Sequence, residues 1–368
     1  MIIFKYLAKQ VLVSMLAVTF VLLMIFMSGR FIKYLAKAAS GGISPDILAS
    51  IMLYRLPGFL ELILPLGFFI GILLAYGRMY LESEMTVLHA CGFSQKRLLS
   101  LTLVFSGFVA LIVAWMSLYL SPLGMQKVEY LLAQESKKTE FEMLFPGRFQ
   151  GFKSGSSVTY SESISDDKKT MLNVFIAEKS KKTDSLDLLY AESGTQRLNE
   201  NGERFLMLHH GRRYEGRPGE LNYQVIEFDS YGIKIEERDA EEPKIKKEAM
   251  ATKALWASTD LSSRALLQWR ISLPLIVPIV TLLAVSVSRV NPRQGRFVHL
   301  FPAMLVYVAY LGLLIVARKN IEKGVLPEAV GLWSVHLTFF ALSLILLGKD
   351  KLRVGVRKKA RDGRSADA

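Results

Sequence analysis

Long apolar runs occupy both ends of this chain, and a more polar stretch separates them. A helix needs roughly 20 mostly apolar residues to cross the hydrocarbon core of a bilayer. One such run could be a buried helix of a soluble protein, but six together predict transmembrane helices. The predicted spans are Val11–Ser28, Leu56–Tyr76, Leu98–Leu120, Ile271–Ser288, Phe297–Ala317 and Val330–Leu347.

The first run could also be a secretory signal peptide, because Lys5 and Lys9 precede it. Its apolar part, however, is longer than the roughly 7–15 residues of a signal core. No small-x-small cleavage site follows it closely. We therefore predict that this segment is a retained first helix.

The distribution of lysine and arginine in the short loops predicts the orientation of the spans. One side carries clearly more basic residues and includes the C-terminal tail, so we expect both termini in the cytoplasm and the insert outside. Arg30, Lys33 and Lys37 follow the first span on the outer side and run against this bias. That local exception calls for a reason.

The stretch between the third and fourth spans predicts an all-β domain. Five short segments alternate apolar and polar residues, and glycine-containing turns such as Asn201-Gly202 and Gly151–Gly155 separate them. Loose alternation favours a curved sheet or a jellyroll over a flat meander. Its apolar side chains could form a core or line a greasy groove, and we expect a core.

These elements predict four regions. They are helices 1–3 in residues 1–123 with a cytoplasmic coupling helix at about 78–92, a periplasmic jellyroll-like domain in 124–263, helices 4–6 in 264–348, and a basic cytoplasmic tail in 349–368.

Composition excludes several functions. The net charge of +13 could suggest nucleic acid, but many basic residues flank apolar runs, where they set membrane orientation. One cysteine allows no intramolecular disulfide. The sequence has no P-loop, no zinc-protease motif and no G-x-S-x-G elbow, so we expect neither catalytic residues, nor a metal, nor a cofactor. Adjacent His209 and His210 would face opposite sides of a strand and make a poor metal pair.

The cytoplasmic loop after the second span contains a short amphipathic pattern. Leu81, Met85 and Leu88 fall on one helical face, whereas Glu82 and Glu84 lie mainly elsewhere. Two carboxylates on such a helix fit docking to a basic groove of a partner protein. A solvated helix at the membrane interface is the alternative.

The outer end of the first helix carries three cations. If the helix continues, Arg30, Lys33 and Lys37 lie at i, i+3 and i+7 and share a face. They could bind anionic groups at headgroup height or simply anchor the helix by snorkelling. Because they defy the charge bias, we favour an anionic ligand. Arg55 and Glu61 border the second span, where ionisable groups are costly, and they could pair with each other or with these cations.

The chain resembles the LptF/LptG permeases of lipopolysaccharide export over nearly its whole length. The order of six helices with a large insert after the third is typical of that family. The stretches Glu82–Glu84 and Val87–Ser94 are similar to the coupling region of the family. Val290–Arg296, followed by Pro302–Met304, is similar to the LptF branch in particular.

The resemblance implies a permease subunit in the bacterial inner membrane. Such a subunit pairs with LptG, an ATPase dimer of LptB docks beneath, and LptC contributes a helix near the fifth span and a periplasmic jellyroll. Lipopolysaccharide would enter a cavity open to the outer leaflet, and ATP-driven closure would push it onto the jellyrolls. ATP hydrolysis would then lie in a separate subunit.

The resemblance also implies residue roles. Glu84 would contact LptB with Glu82 nearby, and Arg30 and Lys33 would meet lipid A phosphates. Lys37 is added from helical spacing alone. The second span departs from the family pattern, because its acidic residue, Glu61, lies a few positions late.

Two other classes remain as rivals. A mechanotransmitting ABC subunit moves no lipid itself, but such proteins usually have four helices with the insert after the first. An intramembrane hydrolase would need paired catalytic groups within the spans, and the sequence offers none.

Overall fold

The structure, a computed structural model, describes most of the chain. The described residues are 2–39, 43–136, 144–152, 157–165, 170–179, 186–198, 204–217, 223–234, 246–288 and 300–364. Within them, six helices are long and apolar enough to cross a membrane, which confirms the six predicted spans. The loop 290–296, which carries part of the family resemblance, lies outside the described residues. So do the side chains of the predicted tail from 349 onward.

Nine α-helices belong to the part of the chain that the structure describes. They are α1 (Ile2–Ala39), α2 (Leu48–Leu81), α3 (Glu84–Ala90), α4 (Gln95–Trp115), α5 (Ser121–Ser136), α6 (Thr252–Ala257), α7 (Leu261–Val287), α8 (Leu300–Glu322) and α9 (Gly331–Arg364).

Several helices extend beyond the apolar runs that predicted them. Hydropathy detects only the residues suited to the hydrocarbon, whereas backbone hydrogen bonding continues into the polar flanks. A single π-helical turn, Met116–Leu120, joins α4 to α5, so the third span continues as helix to Ser136. The first part of the predicted insert is therefore helical.

The chain is divided into two compact units. One comprises residues Met1–Ser28, Leu53–Lys127 and Ile245–Ala368, and the other comprises Gly29–Met52 and Val128–Lys244. In the first unit α7 is the central helix, with 67% of its most apolar window buried, whereas α1 has 17%. Most of the surface of α1 in this unit is therefore available for contact with lipid or a partner protein.

Two glycines of α2 allow α1 to approach closely. A Cβ at Gly71 would lie 2.9 Å from the backbone nitrogen of Met15. One at Gly67, a turn earlier, would overlap the hydroxyl of Thr19. Small residues at i and i+4 let membrane helices pack with their backbones in contact. This pair lets α1, most of whose surface is exposed, pack directly on the backbone of α2.

We predict that Gly71→Ala destabilises the helical unit by about 1–3 kcal/mol, because the added methyl group meets backbone that cannot move aside. Gly107→Ala on α4 is the matched control, since nothing lies within 4 Å of a Cβ there. That change should be neutral or slightly stabilising. Unfolding by SDS in mixed micelles measures both. Equal midpoints for the two variants would contradict the close packing of α1 on α2.

The inserted domain contains one antiparallel sheet. Its strands are β1 (Gln150–Phe152), β2 (Ser157–Ile164), β3 (Thr170–Lys179), β4 (Leu186–Leu198), β5 (Arg204–Gly216) and β6 (Tyr223–Lys234). Each described strand pairs with its neighbours in chain order, β1-β2-β3-β4-β5-β6. The fold class, six membrane helices with an all-β insert between the third and fourth, is confirmed. One detail was wrong: β1 occupies part of the stretch 151–155 that the glycines had marked as a turn.

The loose alternation of the sequence has a backbone cause. Asn173 on β3 and His210 on β5 adopt left-handed backbone angles, with φ of 47° and 50°. The regular pairing omits both residues, and the buried positions shift in phase there. Met171 and Val174 are therefore both buried although they are three residues apart. His209 is half-buried with Nε2 3.2 Å from the Thr195 hydroxyl, while His210 is exposed.

The apolar face of the sheet is packed in this structure. Its buried side chains come from β3, β4 and β5 and from the segment before β1. They are Leu144, Met171, Val174, Ile176, Leu189, Ala191, Leu206 and Leu208. Phe228, Tyr231 and Ile233 of β6 cover one side of this group. Of the two sequence-based alternatives, the described residues therefore match the packed core.

Candidate functional site

The loop after the second span forms the short helix α3, which corresponds to the predicted coupling helix. It is shorter than the predicted range of about 78–92, because Ser83 adopts a left-handed backbone angle (φ 61°) and separates α3 from α2. Leu81 therefore ends α2 instead of sharing a helical face with Met85 and Leu88. Met85 is fully buried and Leu88 is half-buried, so these two side chains anchor α3 to the helical unit.

Both predicted docking carboxylates have partners on neighbouring helices. The Glu84 Oε2 atom accepts a hydrogen bond of 2.8 Å from the Tyr6 hydroxyl of α1. Glu82 lies 3.5 Å from the Arg78 guanidinium, and both side chains are about half exposed. Arg78 in turn donates to the side-chain oxygen of Gln10, at 3.1 Å. The carboxylates are thus held in place while remaining accessible.

The far end of α3 is closed by local contacts. The Nδ1 atom of His89 lies 2.6 Å from the Phe93 carbonyl oxygen, and Gly92 has a φ of 86°, which suits glycine. The Arg97 guanidinium lies 5.7 Å from the centre of the Phe93 ring. Cys91 is exposed. His89 and Cys91 therefore belong to the turn that ends this helix.

The three cations predicted for the outer side of the membrane lie on an unbroken helix, as their spacing requires. Helix α1 continues to Ala39, and Arg30, Lys33 and Lys37 are all exposed on it. The structure thus brings these three predicted residues onto one face of the helix. Lys33 lies about one turn after Arg30, and Lys37 lies about one turn after Lys33.

The C-terminal end of α1 is anchored within its own unit. Ala38 packs with Ile43 and Leu48 of the segment that follows α1. Glu135 of α5, only 3% exposed, accepts hydrogen bonds of 2.8 and 2.6 Å from the backbone nitrogen and hydroxyl of Ser44. These contacts fix the loop after α1 against α5, so the basic face stands on a supported helix end.

A third cluster surrounds Arg270 of α7, which is only 4% exposed. Its guanidinium donates to the Thr252 hydroxyl at 2.8 Å and to the carbonyl oxygens of Glu248 and Met250, both at 2.9 Å. A charged group this buried must have its donors satisfied. The arginine thereby fastens the segment that returns from the insert, residues 246–252, onto the fourth span.

The same cluster reaches the π-helical turn of the third span. The Thr252 hydroxyl donates to the Leu118 carbonyl at 2.5 Å, and the Ser117 hydroxyl donates to the Arg270 carbonyl at 3.1 Å. A π-helical turn disturbs regular helical hydrogen bonding and often occurs at functional sites. Hydroxyl groups of α6 and of the turn itself form hydrogen bonds with backbone carbonyl oxygens at this point.

Glu61 belongs to this neighbourhood. It lies on α2 between Pro57 and Pro65, and it interacts with the Ser117 and Ser121 hydroxyls and with the charge of Arg270. Its Oε2 atom is buried without a hydrogen-bond partner among the described residues. The sequence offers Arg55 and the cations near the end of α1 as its candidate partners, and the structure adds Arg270 as a cationic neighbour.

The start of α7 adds a contact outside the membrane-spanning segment. Asp260 caps the helix, and its carboxylate accepts a hydrogen bond of 2.7 Å from the Lys247 ammonium. This contact, followed by that with Ser262, lowers the pKa of the Asp260 carboxyl below its ordinary value. A carboxyl whose pKa is depressed in the folded protein stabilises the fold at pH values above its ordinary pKa. This stabilisation is lost as the pH falls below the ordinary pKa and toward the depressed one.

Sequence reasoning missed Tyr6, Gln10 and Arg270. Tyr6 is 78 positions from Glu84, and no local pattern links the two. Arg270 stands at the edge of an apolar run, and that position was itself a usable signal, because ionisable residues there are costly and often functional. Among the described residues, no group of three or more His, Cys, Asp or Glu could hold a metal ion.

The fold defines a multi-pass membrane protein with a short helix, α3, between its second and third spans and a β domain between its third and fourth. Its sequence matches the family model described as lipopolysaccharide export system permease LptF/LptG over residues 5–349. The chain therefore belongs to the LptF/LptG permease family.

Individual relatives agree with the family. The chain is 32% identical over 347 residues to the lipopolysaccharide export system permease protein LptF of Escherichia coli strain K12, covering 94% of each chain. The protein of the same name from Shigella flexneri gives the same identity and coverage. Similarity across 94% of both chains includes the β insert as well as the helices.

Proposed function

We propose that this chain is the permease subunit that takes lipopolysaccharide from the outer leaflet of the inner membrane and passes it to a periplasmic jellyroll bridge. The observation that carries the proposal is the exposed basic face of α1, Arg30, Lys33 and Lys37, in a chain of this family. Lipid A carries phosphates, and a row of cations at headgroup height suits them better than the headgroups of ordinary phospholipids.

The partners follow from the same proposal. The chain would pair with LptG in a heterodimer, and LptC would add a helix and a further jellyroll. An LptB dimer would dock on α3 through Glu84 and Glu82 and supply ATP hydrolysis. The packed interior of the insert supports a rigid platform for handing lipid on, since its core side chains are buried.

The proposed orientation places α3 in the cytoplasm and the sheet in the periplasm. The chain offers a direct test, because its single cysteine, Cys91, is exposed at the end of α3. An impermeant maleimide added to spheroplasts should leave Cys91 unlabelled until the inner membrane is opened. In a Cys91→Ser background, Ser163→Cys on β2 should be labelled at once. The reverse pattern would overturn the orientation.

Lipid binding by the basic face is tested by charge reversal. Each contact is worth up to about 4 kcal/mol at 4 Å and an effective dielectric near 20, and about 1 kcal/mol after screening. Arg30→Glu with Lys33→Glu should therefore lower photocrosslinking to lipopolysaccharide by roughly tenfold or more. Assembly with the partner subunits should stay intact.

The matched control reverses two other exposed cations expected on the same side of the membrane, Lys319 and Lys323 of α8 and the turn after it. That variant has the same net charge and should crosslink like the wild type. If Arg30→Glu with Lys33→Glu crosslinks and supports growth as well as the control, the cations only anchor the helix. A chain that assembles with an ATPase but never crosslinks to lipid would instead favour the mechanotransmitter.

A further inference from the structure

The docking segment, residues 82–90 with the carboxylates Glu82 and Glu84, is contacted by a residue near the start of the first helix. The Tyr6 hydroxyl donates to Glu84 Oε2 at 2.8 Å, although the two residues are 78 positions apart in the chain. A hydrogen bond to an ionised acceptor is about twice as strong as one between neutral groups. Tyr6 is 38% exposed, so burial of its ring is not what mainly holds it there.

Glu84 needs such a contact because its own helix does little to fix it. Helix α3 has only seven residues, and Ser83 before it caps no backbone group with its side chain. A free glutamate side chain has several rotamers, and ordering it on binding costs affinity. The hydrogen bond from Tyr6 restricts the carboxylate before any partner arrives, and it occupies Oε2 while leaving Oε1 for an incoming donor.

Both carboxylates of the segment lead to the same face of α1. Glu82 pairs with Arg78, which donates to Gln10, and Gln10 lies one turn after Tyr6. Gln10 also interacts with the Tyr6 hydroxyl, so five side chains, including both carboxylates, form one polar network at the cytoplasmic end of α1. The first helix therefore orders both groups that the proposed function assigns to ATPase docking.

We propose that Tyr6 is a positioning residue, which holds the Glu84 carboxylate in the geometry that a cationic group of the ATPase subunit recognises. This inference rests on the proposed docking role of Glu84. It adds the cytoplasmic end of α1 to the coupling machinery. Removing the hydroxyl should weaken docking by about tenfold, since one glutamate side chain must then be ordered on binding.

A double-mutant cycle tests the proposal. The permease heterodimer in nanodiscs is titrated with the purified ATPase subunit of the same transporter, and the dissociation constant is measured for wild type, Tyr6→Phe, Glu84→Gln and the double variant. Tyr6→Phe should weaken binding about tenfold alone and add almost nothing to Glu84→Gln. Tyr54→Phe on α2 is the matched control, because Tyr54 is also 38% exposed, and it should bind like the wild type.

ATP hydrolysis separates positioning from general damage. In Tyr6→Phe the ATPase concentration for half-maximal coupled hydrolysis should rise, while the maximal rate at saturation should match the wild type. Wild-type affinity of Tyr6→Phe, or an equal loss in the Glu84→Gln background, would overturn the positioning role and leave the docking site standing. Wild-type affinity of Glu84→Gln would refute the docking role and, with it, this inference.

Discussion

Replacing Arg270 by methionine is expected to destabilise the helical unit by about 2–5 kcal/mol. Methionine is apolar and of similar length, so loss of packing is not the main cause. The loss comes from two carbonyl oxygens, those of Glu248 and Met250, which would remain buried without their donor. The Thr252 hydroxyl keeps its bond to Leu118 but loses the arginine.

Arg264 provides the control on the same helix. Its guanidinium pairs with Glu328 at 2.8 Å, but its side chain is 45% exposed. Exposed ion pairs contribute about 0–1 kcal/mol, so Arg264→Met should change little. SDS-induced unfolding in mixed micelles compares the two variants directly. Equal unfolding midpoints for Arg264→Met and Arg270→Met would show that the buried hydrogen bonds of Arg270 contribute no more stability than the exposed ion pair of Arg264.

A second variant identifies what part of the loss is electrostatic. Glu61 interacts with the charge of Arg270, so Arg270→Met leaves a buried carboxyl without that neighbour. Glu61→Gln in the Arg270→Met background should therefore recover part of the stability. Arg270→Lys should fall between methionine and wild type, because an ammonium keeps the charge but not the fork of donors. No recovery in the double variant would mean that Glu61 and Arg270 act independently.

The sequence predicted the elements of this fold well and their ends less well. Runs of 18 or more apolar residues were sufficient to find every span, because the bilayer imposes that length. The same criterion stopped α1 at Ser28, although the helix continues to Ala39, because its last turns are basic. Strand β1 has three residues, the middle one a glycine, and these are too few for any alternation to appear.

The strands show a further limit. Alternation assumes that successive residues face opposite sides, and the left-handed angles at Asn173 and His210 interrupt that rule within β3 and β5. Neither residue is glycine. Asparagine and histidine adopt positive φ more often than most residues, but both types also occur widely in regular strands, so their presence does not mark the interruption. The pattern therefore looked loose without showing where the change in phase occurs.

The residues of the candidate site also fall into two groups, those that a sequence pattern predicted and those that it did not. Glu82 and Glu84 were found because an amphipathic helix leaves a local pattern, and Arg30 and Lys33 were found because they break a charge bias. Tyr6 and the acceptors of Arg270 come from other segments, and only the folded chain brings them together. Contacts of this kind hold the side chains of Glu84 and Arg270 in one position.

Replacing both carboxylates of the docking segment is expected to abolish stable assembly with the ATPase. Truncating one partner of a hydrogen-bonded charge pair at an interface costs about 2–5 kcal/mol, and the double variant Glu82→Ala, Glu84→Ala removes two candidates. Met85 stays buried beneath them and keeps α3 in place, so the permease itself should remain folded. Co-purification of the tagged permease with its ATPase measures the effect.

The two positions should not contribute equally. Glu84 is half-buried and ordered by Tyr6, whereas Glu82 is about half exposed and already paired with Arg78, so Glu84→Ala alone should account for most of the loss. Glu227→Ala with Asp229→Ala on β6 removes the same charge far along the chain and should assemble normally. If the Glu82→Ala, Glu84→Ala protein retains the ATPase at the yield of that control, α3 is not held by these charges. The docking proposal would then have to rest on the apolar residues of α3 instead.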